Sequence, residues 1–249
     1  MQTEPSSEFI QSLARGLDVI TAFSAERPEM TLSDVAQATG LTRASARRFL
    51  LTLTTLGYMQ TDGRLFSLTP HVLRLGFSYL SALSLPDVAR PHLERLSQTL
   101  GESTSASVLD GDDIVYVARV PVRRIMAVGI TIGTRFPAVT TSMGRVLLAA
   151  LPPAETDAAI ERSPQIDRDA VRRAVADAGA QGWCIVDQEL EVGLRSAAAP
   201  LRRSGSVVGA INVSTSTATT TLERLRDEFV PALVETAAAI SSDLERTGS

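Results

Sequence analysis

"LSDVAQATGLTRASARRFLLTLTTLGYM", residues 32–59, decides how the N-terminal third of the chain is read. Thr31 or Ser33 stands where a helix needs an N-cap, and Gly40 supplies the left-handed residue that ends a short helix and turns the chain. A second helix is predicted from about Thr42 to Leu56, with Ala46, Phe49, Leu50, Leu53 and Leu56 on one face and Gly57 as its stop. Upstream, Phe9, Leu13, Leu17, Ile20 and Phe23 recur at helical spacing, and "AERPEM" breaks that pattern. Downstream, "YMQTDGRLFSLTP" sets two β-prone runs on either side of Asp62-Gly63, a strong hairpin signal because both residues tolerate positive φ. Helix, helix, turn, helix, hairpin is the order of a winged helix-turn-helix, expected over residues 8–68.

In a helix-turn-helix the second helix of the pair enters the major groove and brings its N-terminal residues to the base edges. Those residues are Thr42, Arg43, Ala44, Ser45, Arg47 and Arg48. With Ala46 at the centre of the buried face, 100° per residue turns Ala44, Ser45 and Arg48 outward, flanked by Arg43 and Arg47. Three arginines and no acid lie between Thr42 and Leu56, and Arg64 at the hairpin tip offers a fourth guanidinium. Taken alone, the helix reads equally well as a solvated surface. With the first helix, the Gly40 turn and the wing in order, DNA is favoured, through phosphate clamps and guanine or thymine contacts.

The charge balance is compatible with such a local footprint. The net charge is −4, yet residues 1–83 hold seven Arg and seven acids, so the acidity belongs to the remainder. All 24 basic residues are Arg, a bias that reflects codon usage more than function. One Cys and two His exclude a disulfide framework or a multi-cysteine zinc site within one chain. With no long apolar run and no leader pattern at the start, neither export nor membrane insertion is expected, and a cytoplasmic location is.

Residues 69–85 are apolar at Val72, Leu73, Leu75, Leu80 and Leu83 and are read as a connecting helix. Residues 86–249 are read as one effector-binding and oligomerisation domain. Pro86 to Leu100 is predicted helical, followed by the β-rich runs "STSASVLD", "DIVYVARV", "RIMAVGI" and "VVGAINVST". Helical patterns at "MGRVLLAAL", "DAVRRAVADAG" and "LERLRDEFVPALVETAAAISSDL" interrupt them without a regular βα alternation. The fold class expected is α+β, helices packed on a largely antiparallel sheet.

Two stretches carry candidate binding chemistry. Thr140, Thr141 and Ser142 precede a helix whose first amides, at Met143, Gly144 and Arg145, would suit a carboxylate, or would simply be capped. Gly144 would admit a ligand close to the backbone. Asn212 and Ser214 share a strand face with Ala210, either as satisfied structural groups or as part of a pocket. Met126 and Phe136 are candidate walls for an aromatic ring or plain core, while Arg123, Arg124 and Arg135 are candidate carboxylate partners or solvent-facing charges.

"SLARGLDVITAF" followed by the opening stretch resembles the N-terminal domain of the IclR family of bacterial transcription regulators. The similarity continues through "TSMGRVLLAALP", "GWCIVDQELEVGLRSAAAPL" and "GSVVGAINVS". "RIMAVGITIGTRFPAVTTSMGRVLLA" looks most like the subgroup controlling the β-ketoadipate pathway and hydroxybenzoate degradation. Thr42 and Ala44 stand where many members have Pro and Ser, and Ser196 where well-known relatives have Cys.

The resemblance implies a GAF-like effector domain in which Leu194, Ser196, Asn212 and Ser214 line the pocket; Asp187 and Glu189 are either the acidic residues that relatives place near it or an exposed acidic loop. It implies an operator DNA partner, a homodimer or tetramer, no cofactor, and a small aromatic acid effector such as 4-hydroxybenzoate or protocatechuate. The alternatives are pyruvate or glyoxylate as effector, or a ligand-binding or catalytic domain whose N-terminal module does not bind DNA. An enzyme is not expected: His71 and His92 each adjoin a proline, and no nucleophile, base or phosphate-loop arrangement is evident.

Overall fold

The computed structural model describes residues 9–75, 85–122, 130–163 and 167–247. The chain divides into two compact units, 1–81 and 82–249.

In the N-terminal unit, α1 (Gln11–Thr21) is followed by β1 (Glu29–Thr31), α2 (Leu32–Thr39), α3 (Arg43–Thr55), β2 (Met59–Thr61) and β3 (Leu65–Leu68). Thr31 caps α2 reciprocally: its hydroxyl accepts from the Asp34 N–H at 3.3 Å, and the Asp34 carboxylate accepts from the Thr31 N–H at 2.9 Å. Gly40, at φ 65°, ends the helix in the left-handed region. Val35 and Ala36 of α2, Ala46, Leu50 and Leu53 of α3, Val19 of α1 and Phe23 just beyond it close one small core.

Two expectations need correction. Of the expected stripe, Phe9, Leu13 and Leu17 are exposed, whereas Ile20 and Phe23 join Val19 against the core formed with α2 and α3. Leu56, read as buried, caps α3 and is exposed. The wing also has a third strand: β1 pairs with β3, giving the order β1-β3-β2, all antiparallel. After Pro70–Val72, a 3-10 turn, residues 73–75 are helical; the rest of the expected connecting helix lies outside the described residues.

The C-terminal unit begins with α4 (Leu85–Leu100), then β4 (Ser103–Asp110), β5 (Asp113–Val120) and β6 (Arg135–Pro137). The short α5 (Ser142–Leu148), α6 (Pro153–Arg162) and α7 (Arg168–Gln181) follow. The sheet is completed by β7 (Cys184–Asp187), β8 (Leu194–Arg203) and β9 (Ser206–Ser216). The chain ends on α8 (Leu222–Arg224), which passes through a π-helical turn at Leu225–Phe229 into α9 (Val230–Thr247). The sheet order is β6-β5-β4-β9-β8-β7, every pair antiparallel, as the α+β expectation requires. Sequence patterning names neither β7, β8 nor α6, and the stretch "RIMAVGI", read as a strand, falls mostly outside the described residues.

Alternation divides the sheet chemically. Ala197, Ala199, Ile211 and Val213 face α4 and α9, whereas Ala198, Ala210, Ile114 and Tyr116 join the core under α5 and α7. Ser103, Ser105, Ser107, Asn212, Ser214 and Ser196 also fall on the α5 side, so that face carries both an apolar end and a polar end. No helix among the described residues is long and apolar enough to cross a membrane.

Candidate functional site

The exposed face of α3 is built by its cap. The Thr42 hydroxyl accepts from the Ser45 N–H at 3.2 Å and donates to Ser45 Oγ at 3.0 Å, so these two side chains serve the helix end itself. Ala46 and Leu50 anchor the opposite side in the core. That orientation leaves Arg43, Ala44, Arg47 and Arg48 exposed, with Ser45 half-buried at their edge. Among the described residues, no carboxylate lies within 4 Å of Arg43, Arg47 or Arg48.

The wing reaches the same condition by another route. At its tip, Asp62 Oδ1 accepts from the Arg64 N–H at 2.8 Å and the Leu65 N–H at 2.7 Å, and these two bonds hold the Asp62 carboxyl below its ordinary value. The carboxylate beside Arg64 is therefore spent on backbone amides, and the Arg64 guanidinium stays exposed without an ion pair among the described residues.

The second candidate site is a cavity of about 850 Å³ on the α5 side of the sheet, within the range that holds small ligands. Thr141, Ser142 and Met143 line it from α5, Leu194 and Ser196 from β8, and Asn212 and Ser214 from β9. Tyr116 and Arg119 contribute from β5, and residues 190–193 from the loop before β8. Ser142 Oγ and Ser196 Oγ lie 2.8 Å apart, and Asn212 Nδ2 donates to Ser214 Oγ at 2.9 Å. Asn212 is buried, yet its Oδ1 has no partner, alone among the buried side-chain nitrogens and oxygens of the described residues. A buried acceptor left unmade costs on the order of 1–3 kcal/mol, so a ligand that satisfies it recovers that energy.

Two proposed contacts are corrected. Gly144 does not open the backbone to a ligand: a Cβ there would sit 2.1 Å from the Ala138 carbonyl oxygen, so the missing side chain seats α5 against the turn Ala138–Thr140. Its N–H is taken by Thr141 Oγ1 at 3.0 Å, and the Arg145 N–H by the Thr141 carbonyl at 3.0 Å. Those amides are not available to an anion. Phe136 stands behind the wall, edge-on to Tyr116 at 6.0 Å between ring centres, and Tyr116 is the ring that lines the cavity. Met126, with Arg123 and Arg124, lies outside the described residues.

The charged candidates have structural partners. Arg135 clasps Asp110 and Asp113 across the β4–β5 turn. Asp187 pairs with Arg195 at 2.9 Å. Glu189 pairs with the buried Arg145, whose Nε also donates to the Val139 carbonyl at 2.8 Å, and this bond ties the loop bordering the cavity to α5.

Comparison with known proteins gives these two sites their context. Residues 12–63 match the IclR helix-turn-helix domain, and residues 77–242 match the C-terminal domain of the bacterial transcriptional regulator IclR. The chain belongs to the IclR family. The Pca regulon regulatory protein of Pseudomonas putida is 43% identical over 248 residues, which cover 95% of this chain and 84% of that one. A candidate transcriptional regulator of Rhodococcus sp. RHA1, of known structure, is 56% identical with a TM-score of 0.85, covering 96% of this chain and 100% of that one. An IclR homologue of Microbacterium hydrocarbonoxydans, solved in complex with 4-hydroxybenzoate, is 25% identical with a TM-score of 0.84 over 94% of this chain and 99% of that one.

Within this IclR-family chain, sequence reading missed Tyr116 and Arg119 as cavity residues. Three positions apart on one strand, they should face opposite sides of a regular sheet. Ala106 pairs with Ala118 and Ser107 with Tyr116, so Val117 is an extra residue, a bulge that turns both side chains to the cavity. Nothing in "DIVYVARV" announces it.

Proposed function

We propose that this IclR-family chain is a ligand-responsive regulator of a catabolic operon, reading operator DNA with α3 and the wing and sensing a small aromatic acid in the C-terminal cavity. The observation that carries it is the outward face of α3, with three uncompensated arginines held in place by a buried face of Ala46, Leu50 and Leu53. We assign DNA binding to residues 8–68, a connecting helix to 69–85 and effector binding to 86–249. Support for an aromatic acid comes from the Pca regulon relative and from the homologue that holds 4-hydroxybenzoate.

A homodimer fits a two-fold operator. The exposed apolar residues Phe9, Ile10 and Leu13 of the first helix and its approach support self-association, since a contiguous exposed apolar face is a common interface mark. Catalysis has little support. Burial pushes the Cys184 thiol up to about 11, His71 packs edge-on to Tyr58, and His92 is bonded to Asp243 and Arg95.

Thermal unfolding of the purified chain with 4-hydroxybenzoate, protocatechuate, pyruvate and glyoxylate tests the effector class. A true effector at a hundredfold excess over its dissociation constant stabilises by about 2.7 kcal/mol. The aromatic acids are expected to raise the midpoint. A rise with pyruvate or glyoxylate alone would reject the aromatic assignment.

A further inference from the structure

We propose that Arg119 is the carboxylate anchor of the effector cavity, working together with the Asn212 amide. The proposal rests on the reading of this cavity as a small-acid site and specifies which groups would read the acid. Arg119, Ser105 and Asn212 stand in one lateral row across three adjacent strands, Ser105 pairing with Arg119 on β5 and with Asn212 on β9. Directly opposed residues point to the same face, and neighbouring strands are about 4.8 Å apart, so the two outer side chains converge over Ser105. The guanidinium donates to Ser105 Oγ at 3.4 Å, a long bond to a buried hydroxyl.

Three features mark this row as unfinished without a ligand. Arg119 is half-buried against the cavity, and among the described residues no carboxylate lies within 4 Å of it, unlike Arg135, Arg145 and Arg195 in the same unit. Burial pulls its guanidinium below the ordinary arginine value, the direction expected of a cation that has lost water without gaining an anion. Asn212 leaves one amide atom unpaired in either orientation: as it stands Oδ1 is orphaned, and rotated by half a turn it leaves Nδ2–H free to donate. In the rotated orientation Ser214 Oγ donates to Oδ1, and a monocarboxylate seated between Arg119 and Asn212 would accept from the guanidinium on one side and from Asn212 Nδ2 on the other. The ring would then extend toward Tyr116 and Met143, the apolar wall of the same cavity.

Calorimetric titration of the full-length protein with 4-hydroxybenzoate and with 4-hydroxybenzamide, its neutral counterpart, tests the anchor. The unaltered chain should prefer the acid, and Arg119→Gln should weaken the acid about 100-fold while moving the amide less than about threefold. Arg119→Lys, which keeps the charge, covers the case in which the Gln variant fails to fold; it should weaken the acid about tenfold and again spare the amide. An acid-to-amide preference that Arg119→Gln leaves undiminished, or that folded Arg119→Lys does not reduce, overturns the anchor while leaving the small-acid reading intact. An unaltered chain that binds neither probe overturns both.

Discussion

Two sets of arginines in this chain are used differently. In the C-terminal unit Arg135, Arg145, Arg162, Arg168, Arg172, Arg195, Arg224 and Arg246 each hold a carboxylate within 4 Å. In the N-terminal unit Arg43, Arg47, Arg48 and Arg64 hold none among the described residues, although Asp62 is two residues from Arg64. Paired guanidiniums are used to fasten structure; unpaired ones on an ordered surface are left for a partner that brings its own negative charge. Arg119 is the arginine of the C-terminal unit that lines the cavity with no carboxylate within 4 Å among the described residues, the condition of those on α3.

If that contrast is sound, variants on its two sides should fail in different assays. The largest effect is expected for Arg47→Ala with Arg48→Ala, lowering affinity for the operator about 100-fold and shallowing the log-log salt dependence by about two units if both touch phosphate. Fluorescence anisotropy across a salt series reads both, and the melting temperature should stay within about 1 °C. Binding that is unchanged would remove α3 from the interface.

Glu189→Gln should act on stability instead. It strips the charge partner from the buried Arg145 but leaves the bond to Val139, and with Glu189 half-exposed the loss should be about 1–2 kcal/mol in urea unfolding. Operator affinity of the folded variant should not move. Arg172→Ala, on an exposed network with Asp157, Glu161 and Asp169, should cost less than Glu189→Gln, because water screens those pairs. A larger loss there than at Glu189 would break the link between burial and the worth of a pair.

The smallest effect concerns the wing and pH. Because the Arg64 and Leu65 amides lower the Asp62 carboxyl in the folded chain, the unfolded chain binds its proton more readily. The stabilisation is therefore present above the ordinary value of 3.8 and is lost as pH falls through the lower folded value. NMR shifts of those two amides should titrate with a midpoint below 3.8, and a midpoint at or above it would mean that the two amides do not hold the Asp62 carboxylate.

Much of the N-terminal unit was legible because its signals are local: the Thr31 cap, Gly40 and the Asp62-Gly63 turn each act within a few residues. β1 was not, since three residues carry no alternation and the strand exists only through pairing with β3. In the C-terminal unit, β8 contains Ala197, Ala198, Ala199 and Pro200, a poor strand former by composition. It is held by β9 along its length, and Pro200 lies beyond the last pairing with β7, Cys184 with Ala198. Gly144 was read as open space and is a packing contact, which only the position of Ala138 reveals. Arg119 was hidden by the Val117 bulge, because a period-two reading turns it away from the cavity.

The central claim is that one chain couples an acid in the cavity to DNA on α3, and coupling is a difference in affinity between two states. The most direct measurement is the dissociation constant of the full-length protein for the region upstream of its own gene, at fixed salt, with and without saturating 4-hydroxybenzoate or protocatechuate. The expected result is a change of at least about fivefold, in either direction, abolished by Arg119→Gln. Sequence-specific binding that either acid saturates without altering would contradict the account.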